Sequence, residues 1–163
     1  QAILHIIYRS IDLKKEIVEK DPEENGLRQI LNFGHTFGHA LEAYYSYKIK
    51  HGYAVSQGII VESKISVLTK SLGAAEEDKV VLLLKQFGFP AAVNLDVNIP
   101  QILEFMLGDK KNKGRKPRFV ILKEIGKIKS ENNDYSFEVD REIIARAVDS
   151  CKNEWNHKNK RFK

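Results

Sequence analysis

The sequence predicts a mainly α-helical domain with one small β-hairpin, and three observations support this fold class. Apolar residues recur at helical spacing in several separate segments. Strands do not alternate with helices as they do in βαβ units, so a Rossmann-type domain is not encoded here. A short apolar run, RFVIL at residues 118–122, precedes a glycine turn and a second candidate strand at residues 127–129.

Composition places the chain among globular proteins and limits its surroundings. It has 163 residues, of which 42% are hydrophobic and 30% charged. No apolar run approaches the ~18–20 residues that a membrane span needs, and a single cysteine, Cys151, excludes an internal disulfide framework. We therefore expect a cytoplasmic protein with no membrane partner. We expect one helical domain over residues 1–151 and a frayed, basic polar tail over residues 152–163.

The first helix is predicted over residues 2–20 and ends before Pro22, which disfavours helical geometry at the residue that precedes it. Lys14 falls within its apolar stripe. The lysine either extends its amine to the edge of that stripe or faces inward to bind a ligand, and the spacing alone leaves both possibilities open. The apolar members of the stripe are Ile3, Ile7, Ile11 and Val18.

The remaining helices follow from the same periodicity. A short helix is expected after Pro100, a residue that suits the first turn, and Cys151 is expected in the core. The longer helices are predicted over residues 27–45, 51–72, 76–87 and 138–151. Within the helix over residues 76–87, the side chains expected inside are Val80, Val81, Leu83 and Leu84.

The helix over residues 27–45 carries the candidate site. At ~100° per residue, one face of this helix collects a cation, an amide, two imidazoles and a carboxylate. A solvated helix face usually consists of Lys, Glu and Gln, so this combination indicates a site. Gly34 and Gly38 interrupt the same helix at a cost of up to ~1 kcal/mol each, which predicts close approach of another backbone or a ligand. The polar face consists of Arg28, Asn32, His35, His39 and Glu42.

The histidine pattern His35-x3-His39-x11-His51 suggests a metal site, because an i, i+4 pair of imidazoles can chelate Zn²⁺. The zinc-protease pattern H-E-x-x-H is absent, so the general base of that class is missing. Alternatively, the histidines are partly buried and only hydrogen-bonded to neighbours. A catalytic zinc usually has three protein ligands, and Glu42 is better suited to orienting a histidine. The ligand set within the chain is therefore expected to be incomplete.

The formal charge of +5 is concentrated in a loop over residues 110–118 and in the tail. The loop could bind a phosphate or carboxylate, or it could be a solvated turn. No nucleic-acid-binding module accompanies either basic run, so we expect no nucleic-acid partner. The cations of the loop are Lys110, Lys111, Lys113, Arg115, Lys116 and Arg118.

Two segments of the sequence resemble the signature of the 3-dehydroquinate synthase family. Residues 28–42 read RQILNFGHTFGHALE, and the family pattern is approximately R-x-x-L-N-[LF]-G-H-T-[FL]-G-H-A-[IL]-E. Residues 51–58 read HGYAVSQG, and the family has H-G-E-A-V-x-x-G. Lys14 upstream, and the Asp-Lys-Lys run at residues 109–111 with the RFVIL strand downstream, match in the same order. The resemblance covers about residues 3–150.

The resemblance implies both an architecture and a reaction. Family members are longer than this chain, with an N-terminal domain that holds NAD⁺ and a helical C-terminal domain that holds zinc and substrate. They form homodimers and convert 3-deoxy-D-arabino-heptulosonate 7-phosphate to 3-dehydroquinate and phosphate in the shikimate pathway of aromatic amino-acid biosynthesis. The chain corresponds to the C-terminal domain alone, and we expect it to be inactive without the NAD domain.

The resemblance also implies roles for individual residues. His35 and His51 match the two zinc histidines of the family, whereas the third ligand, a glutamate, would lie before Gln1. His39 matches a histidine that contacts the substrate. The residues that match the family's contacts to the phosphate, carboxylate and hydroxyls of the substrate are Lys14, Arg28, Asn32 and Lys110, the last chosen over Lys111.

Tyr53 departs from the family pattern, which usually has glutamate two residues after the second zinc histidine. The change could alter the surroundings of the metal or the substrate preference. Related sugar-phosphate cyclases, the 2-deoxy-scyllo-inosose and sedoheptulose 7-phosphate types, share the histidine motif and remain alternatives. So does a non-catalytic helical fragment that binds no metal.

Overall fold

The computed structural model describes residues 1–89, 97–107 and 116–159, with side chains described as far as Lys152. The described chain is mainly helical, which confirms the predicted fold class. Helix α6 runs past the boundary predicted for it at Cys151. The elements in order are α1 (Ala2–Lys20), a 3-10 helix (Leu27–Asn32), α2 (His35–Tyr44), α3 (His51–Leu68), α4 (Ala74–Gln86), α5 (Ile99–Leu107), β1 (Arg118–Phe119), β2 (Leu122–Glu124), β3 (Lys127–Ile128), β4 (Phe137–Glu138) and α6 (Arg141–Asn159).

Helix α3 lies at the centre of the domain, where it packs against α2, α4 and α6. It is buried around most of its circumference, as expected for a helix covered on several sides, and its buried residues include both apolar and polar side chains. Its neighbours contribute the largest buried side chains, among them Phe37 from α2, Phe119 from β1 and Ile144 from α6. Cys151 is buried as predicted. The three histidines that are candidate metal ligands lie at one edge of this packed core.

The strands form two small antiparallel pairs. β2 pairs with β3 through a turn at Gly126, whose φ of 86° suits glycine, and this pair is the predicted hairpin. β1 pairs with β4, an arrangement that the sequence analysis missed. Two-residue strands that are far apart in sequence leave no alternation of polar and apolar residues to detect. The predicted RFVIL strand is thus divided between two pairings.

The single helix predicted over residues 27–45 is wrong. The chain forms a 3-10 helix, breaks at Phe33 and Gly34, and restarts as α2 at His35. Gly34 has a φ of 83°, a left-handed conformation that glycine adopts without strain. Because of this break, the five polar residues predicted on one helical face are divided between two elements.

The glycines allow α2 and α3 to touch through their backbones. A Cβ atom at Gly58 of α3 would lie 1.8 Å from the carbonyl oxygen of Gly34. A Cβ atom at Gly38 would lie 3.2 Å from the Cα atom of Val55. The close approach predicted from the glycine pair is therefore made by another backbone.

Helices α1 and α4 bury less than their periodicity predicts. None of the side chains of α1 is buried, and Ile3 in its apolar stripe is 72% exposed. In α4, Val80, Val81 and Leu84 are half-buried as expected, but Leu83 is 54% exposed. Both helices thus present apolar side chains that nothing in the described chain covers. None of the described helices combines the length and apolarity needed to cross a membrane.

We expect Gly58→Ala to destabilise the domain by about 3 kcal/mol or more, because the added methyl group overlaps a backbone oxygen that cannot rotate away. Gly52→Ala in the same helix is the matched control, since a Cβ atom there meets nothing within 4 Å. Alanine is also the better helix former, so this control should be neutral or stabilising by up to ~1 kcal/mol. Urea unfolding of both variants measures the difference. Equal stability of the two would contradict the close contact.

Candidate metal and substrate site

Three histidine rings converge where α2 packs on α3. His35 begins α2, His39 follows one turn later, and His51 begins α3. The ring centroids are 5.4 Å apart for His35 and His39, 5.5 Å for His35 and His51, and 6.0 Å for His39 and His51. The two helices can approach closely enough for this because glycines line their contact.

Two of the three rings are oriented by a partner on the Nδ1 side. Nδ1 of His35 lies 3.2 Å from the carbonyl oxygen of Phe33, and Nδ1 of His51 lies 3.2 Å from Oε1 of Glu42. Each partner favours a proton on Nδ1 and leaves Nε2 with a free lone pair, the usual arrangement of a metal-binding histidine. His39 makes no side-chain hydrogen bond within the described residues. The predicted role of Glu42, orienting a histidine, agrees with its contact to His51.

The protonation of His35 also suits metal binding. Partial burial lowers the pKa of this imidazole, and the neighbouring His39 and His51 lower it further, against an opposing effect of the Phe33 carbonyl. This lowered pKa favours the neutral ring, the form that binds a metal.

The side chains offer two candidate sets of metal ligands. Ligand atoms of His39, Glu42 and His51 all lie within 4.8 Å of one another. His35 and His51 form a second set, the one predicted from the sequence. Both sets contain His51, whose side chain is 57% exposed. A catalytic zinc site uses imidazole nitrogens as ligands and keeps one coordination position of the metal open.

A cavity of about 330 Å³ adjoins the histidines, and all but one of its lining residues carry a polar side chain. It brings together Asn32, His35 and His39 of the predicted site residues. Its far wall is formed by strand β1 and the segment before β4, so it depends on the pairing of these two strands. The lining residues are Gln29, Asn32, His35, Thr36, His39, Arg118, Val120 and Ser136.

Arg118 is the cation of this cavity, and sequence reasoning placed it only among the basic residues of the preceding loop. Its guanidinium pairs with Asp134 and donates through Nε to Oγ of Ser136 at 3.1 Å. The pairing holds the pKa of Asp134 below its usual value. The hydroxyl of Thr36 donates to the backbone oxygen of Arg118 at 2.8 Å, which connects α2 to this wall. The position of Arg118 at the start of the RFVIL strand was the available signal.

The other predicted substrate contacts lie apart from the cavity or outside the described residues. Arg28 does not line the cavity, and its Nη1 donates to the carbonyl oxygen of Pro22 at 2.7 Å. Asn32 lines it, but its amide also donates to Glu24 at 2.6 Å. Lys14 is exposed on α1 and makes no ion pair within the described chain. Lys110 and Lys111 lie outside the described residues.

Glu62 is a buried carboxyl group that sequence reasoning missed. It lies on α3 with none of its surface exposed, and its Oε2 accepts a hydrogen bond of 2.8 Å from the backbone N–H of Gly34. Burial raises its pKa to about 8, and hydrogen bonding to the N–H groups of Gly34, Phe37 and Thr36 opposes that rise. An acidic residue inside the apolar run IIVESKI was the signal in the sequence.

Tyr53 does not line the cavity beside the histidines. It borders a separate, more apolar cavity of about 410 Å³ with none of the three histidines in its lining. The other residues around that cavity are Tyr45, Lys48, Ile49 and Lys50.

The arrangement of helices is shared with solved structures of sugar-phosphate cyclases. A 2-deoxy-scyllo-inosose synthase, solved with carbaglucose-6-phosphate, NAD⁺ and Co²⁺, superposes with a TM-score of 0.75 over 87% of this chain and 39% of the other, at 22% identity. The 2-epi-5-epi-valiolone synthase of Streptomyces hygroscopicus, solved with NAD⁺ and Zn²⁺, gives a TM-score of 0.75 over 93% and 40% of the two chains, at 19% identity. At such low identities the likeness defines the fold alone.

Sequence relatives define the family more narrowly. The family description 3-dehydroquinate synthase C-terminal matches residues 1–112. The 3-dehydroquinate synthase of Pyrococcus furiosus is 43% identical over 148 residues, covering 91% of this chain and 41% of the relative. That of Thermodesulfovibrio yellowstonii is 37% identical over 147 residues, covering 90% and 40%. The chain belongs to the 3-dehydroquinate synthase C-terminal family, and it spans about two fifths of the length of these relatives.

The buried carboxyl group of Glu62 should make stability depend on pH. An unfolded glutamate ionises near pH 4.5, whereas the folded one stays protonated up to about pH 8. Between these values the folded state holds one more proton, so stability falls as pH rises, by at most about 1.4 kcal/mol per pH unit. Thermal unfolding between pH 5 and 8.5 measures this. The slope should flatten in Glu62→Gln, which cannot titrate, and an unchanged slope in that variant would refute the assignment.

Proposed function

We propose that this chain is the metal- and substrate-binding part of an enzyme that converts 3-deoxy-D-arabino-heptulosonate 7-phosphate to 3-dehydroquinate and phosphate. The observation that carries the proposal is the orientation of His35 and His51, because both rings are held through Nδ1 and leave Nε2 free within one cluster. The names of the sequence relatives support the same reaction.

In this proposal His35 and His51 hold a divalent metal, Zn²⁺ or a similar ion, through their Nε2 atoms. Glu42 fixes the ring of His51 and increases its basicity. A third ligand comes from the part of the enzyme that this chain does not span. When bound, the metal supplies Lewis acidity that polarises a substrate hydroxyl and the carbonyl formed from it.

The cavity next to the histidines would hold the polar body of the substrate. His39 and Asn32 face this space with donors and acceptors, and Arg118 lines it with a guanidinium that must release Asp134 before it can bind a substrate anion. His39 is the group placed to exchange a proton with the substrate, since its ring nitrogens have no other partner in the described chain. Arg28, Lys14 and Lys110 complete the cationic set in the proposal. Arg28 must release the Pro22 carbonyl before it can bind a substrate anion.

The remaining parts of the enzyme would supply NAD⁺ and its domain. Hydride transfer belongs to that cofactor, and the chain described here orients the substrate for it. The relatives are more than twice as long as the matched region, which leaves room for such a domain. We assign the exposed apolar stripe of α1 as the surface that contacts this NAD domain. Assembly into a homodimer and location in the cytoplasm are part of the same proposal.

Another sugar-phosphate cyclase activity is the alternative, because the fold matches cyclases that act on other substrates. The sequence feature that favours this alternative is Tyr53, which stands where the family usually has glutamate. Tyr53 borders a cavity other than the one beside the histidines, so its effect on substrate choice at that site would be indirect.

Metal titration tests the ligand assignment. We expect His35→Ala and His51→Ala each to weaken Co²⁺ binding by more than about 100-fold, because each removes a ligand and loss of an orienting partner alone costs about 10–100-fold. His5→Ala, on exposed α1, is the matched control and should bind as the unaltered protein does. His39→Ala should retain the metal. Loss of binding in His39→Ala with retention in His35→Ala would instead assign the set of His39, Glu42 and His51.

An activity assay tests the division of labour between the domains. The isolated chain, supplied with NAD⁺, Zn²⁺ and the heptulosonate phosphate, should release no phosphate above background, since it lacks the NAD domain and a third metal ligand. The full-length protein under the same conditions is the positive control. Turnover by the isolated chain near the full-length rate would refute the claim that the missing part is essential.

A further inference from the structure

Glu62 is an unusual residue to find inside this domain. Its side chain is wholly buried, and its Oε1 has no hydrogen-bond partner within the described chain. Burying a carboxyl group without full hydrogen bonding costs free energy. An apolar side chain at this position of α3 would avoid that cost, so a carboxyl group here calls for a structural explanation.

The reason lies in the one strong hydrogen bond that Glu62 accepts. The first N–H groups of an α-helix have no partner within the helix, and they are usually capped by the side chain of the residue before it. That residue in α2 is Gly34, which has no side chain. Glu62 reaches across from α3 and accepts the N–H of Gly34 at 2.8 Å. It therefore acts as a cap supplied by a different helix.

This cap joins the two helices that carry the proposed ligands. His35 directly follows Gly34 on α2, and His51 lies on the same helix as Glu62. The backbone contact between Gly34 and Gly58 keeps the helices close but does not by itself fix the rotation of the first turn of α2. A directional hydrogen bond adds that constraint.

We propose that Glu62 is a positioning residue for the proposed metal site: its side-chain oxygen holds the first turn of α2 against α3 and so sets the ring of His35 relative to that of His51. The inference rests on the proposed function. Gln57 and Ser63 of α3 also have buried polar atoms without partners, but no described hydrogen bond connects either to α2.

Four substitutions in the full-length protein separate positioning from general stability. Glu62→Met keeps the volume and removes the acceptor, Glu62→Gln keeps an acceptor oxygen in place, and Glu62→Asp withdraws it by one methylene group. Gln57→Met is the matched control, because the Gln57 side chain is also wholly buried on α3 but makes no hydrogen bond within the described residues. The readouts are the ring nitrogen NMR shifts of His35 without metal, and the affinity and visible spectrum with Co²⁺ alone.

We expect Glu62→Met to move the His35 ring resonances and to weaken Co²⁺ binding by about 10–100-fold with an altered spectrum. Glu62→Gln should remain within about threefold of the unaltered protein, and Gln57→Met should keep both readouts. If Glu62→Met does not fold, Glu62→Asp against Glu62→Gln makes the same comparison.

Unaltered His35 resonances and Co²⁺ affinity in the variants without a correctly placed acceptor would overturn the inference. A failure of the proposed function gives a different result. In that case the unaltered protein binds no Co²⁺, yet the His35 ring still moves in Glu62→Met, and the positioning by Glu62 is upheld as a structural fact without a metal site.

Discussion

The backbone contact between Gly34 and Gly58 is the constraint on which the rest of the site depends. Two helices can approach this closely only where neither has a Cβ atom at the crossing, and here a methyl group on Gly58 would overlap the Gly34 oxygen. The contact sets the start of α2 beside the interior of α3, while the start of α3 lies beside Glu42 near the end of α2. Every histidine of the cluster is carried by one of these two starts. The glycines thus act through geometry, without any chemical role of their own.

The sequence predicted the chemistry of the site better than its geometry. His35, His39 and His51 were recognised from their spacing and do converge, although the helix that was to align them is broken at Gly34. Periodicity assumes an unbroken helix, and a left-handed glycine violates that assumption without changing the pattern of apolar residues. A motif spacing survives such a break because the residues remain close along the chain.

Residues that reach the site from elsewhere were beyond this kind of reasoning. Arg118 enters the cavity because β1 pairs with β4, and strands of two residues have no periodicity to read. Glu62 reaches Gly34 across 28 positions of sequence, and only the packing of α2 on α3 reveals that contact. The side chains of α1 show the opposite failure, since the apolar stripe was seen correctly but nothing in the described part of the chain covers it.

The pairing of β1 with β4 has a consequence for the order in which the site can form. The histidine cluster and its Glu62 support need only residues 34–62, a compact stretch of two neighbouring helices. The opposite wall of the cavity needs residues 118 and 136, which come together only when the chain between β1 and β4 closes a loop. The imidazole cluster therefore depends on contacts that are local along the chain, whereas the cavity beside it depends on the completed fold of the domain.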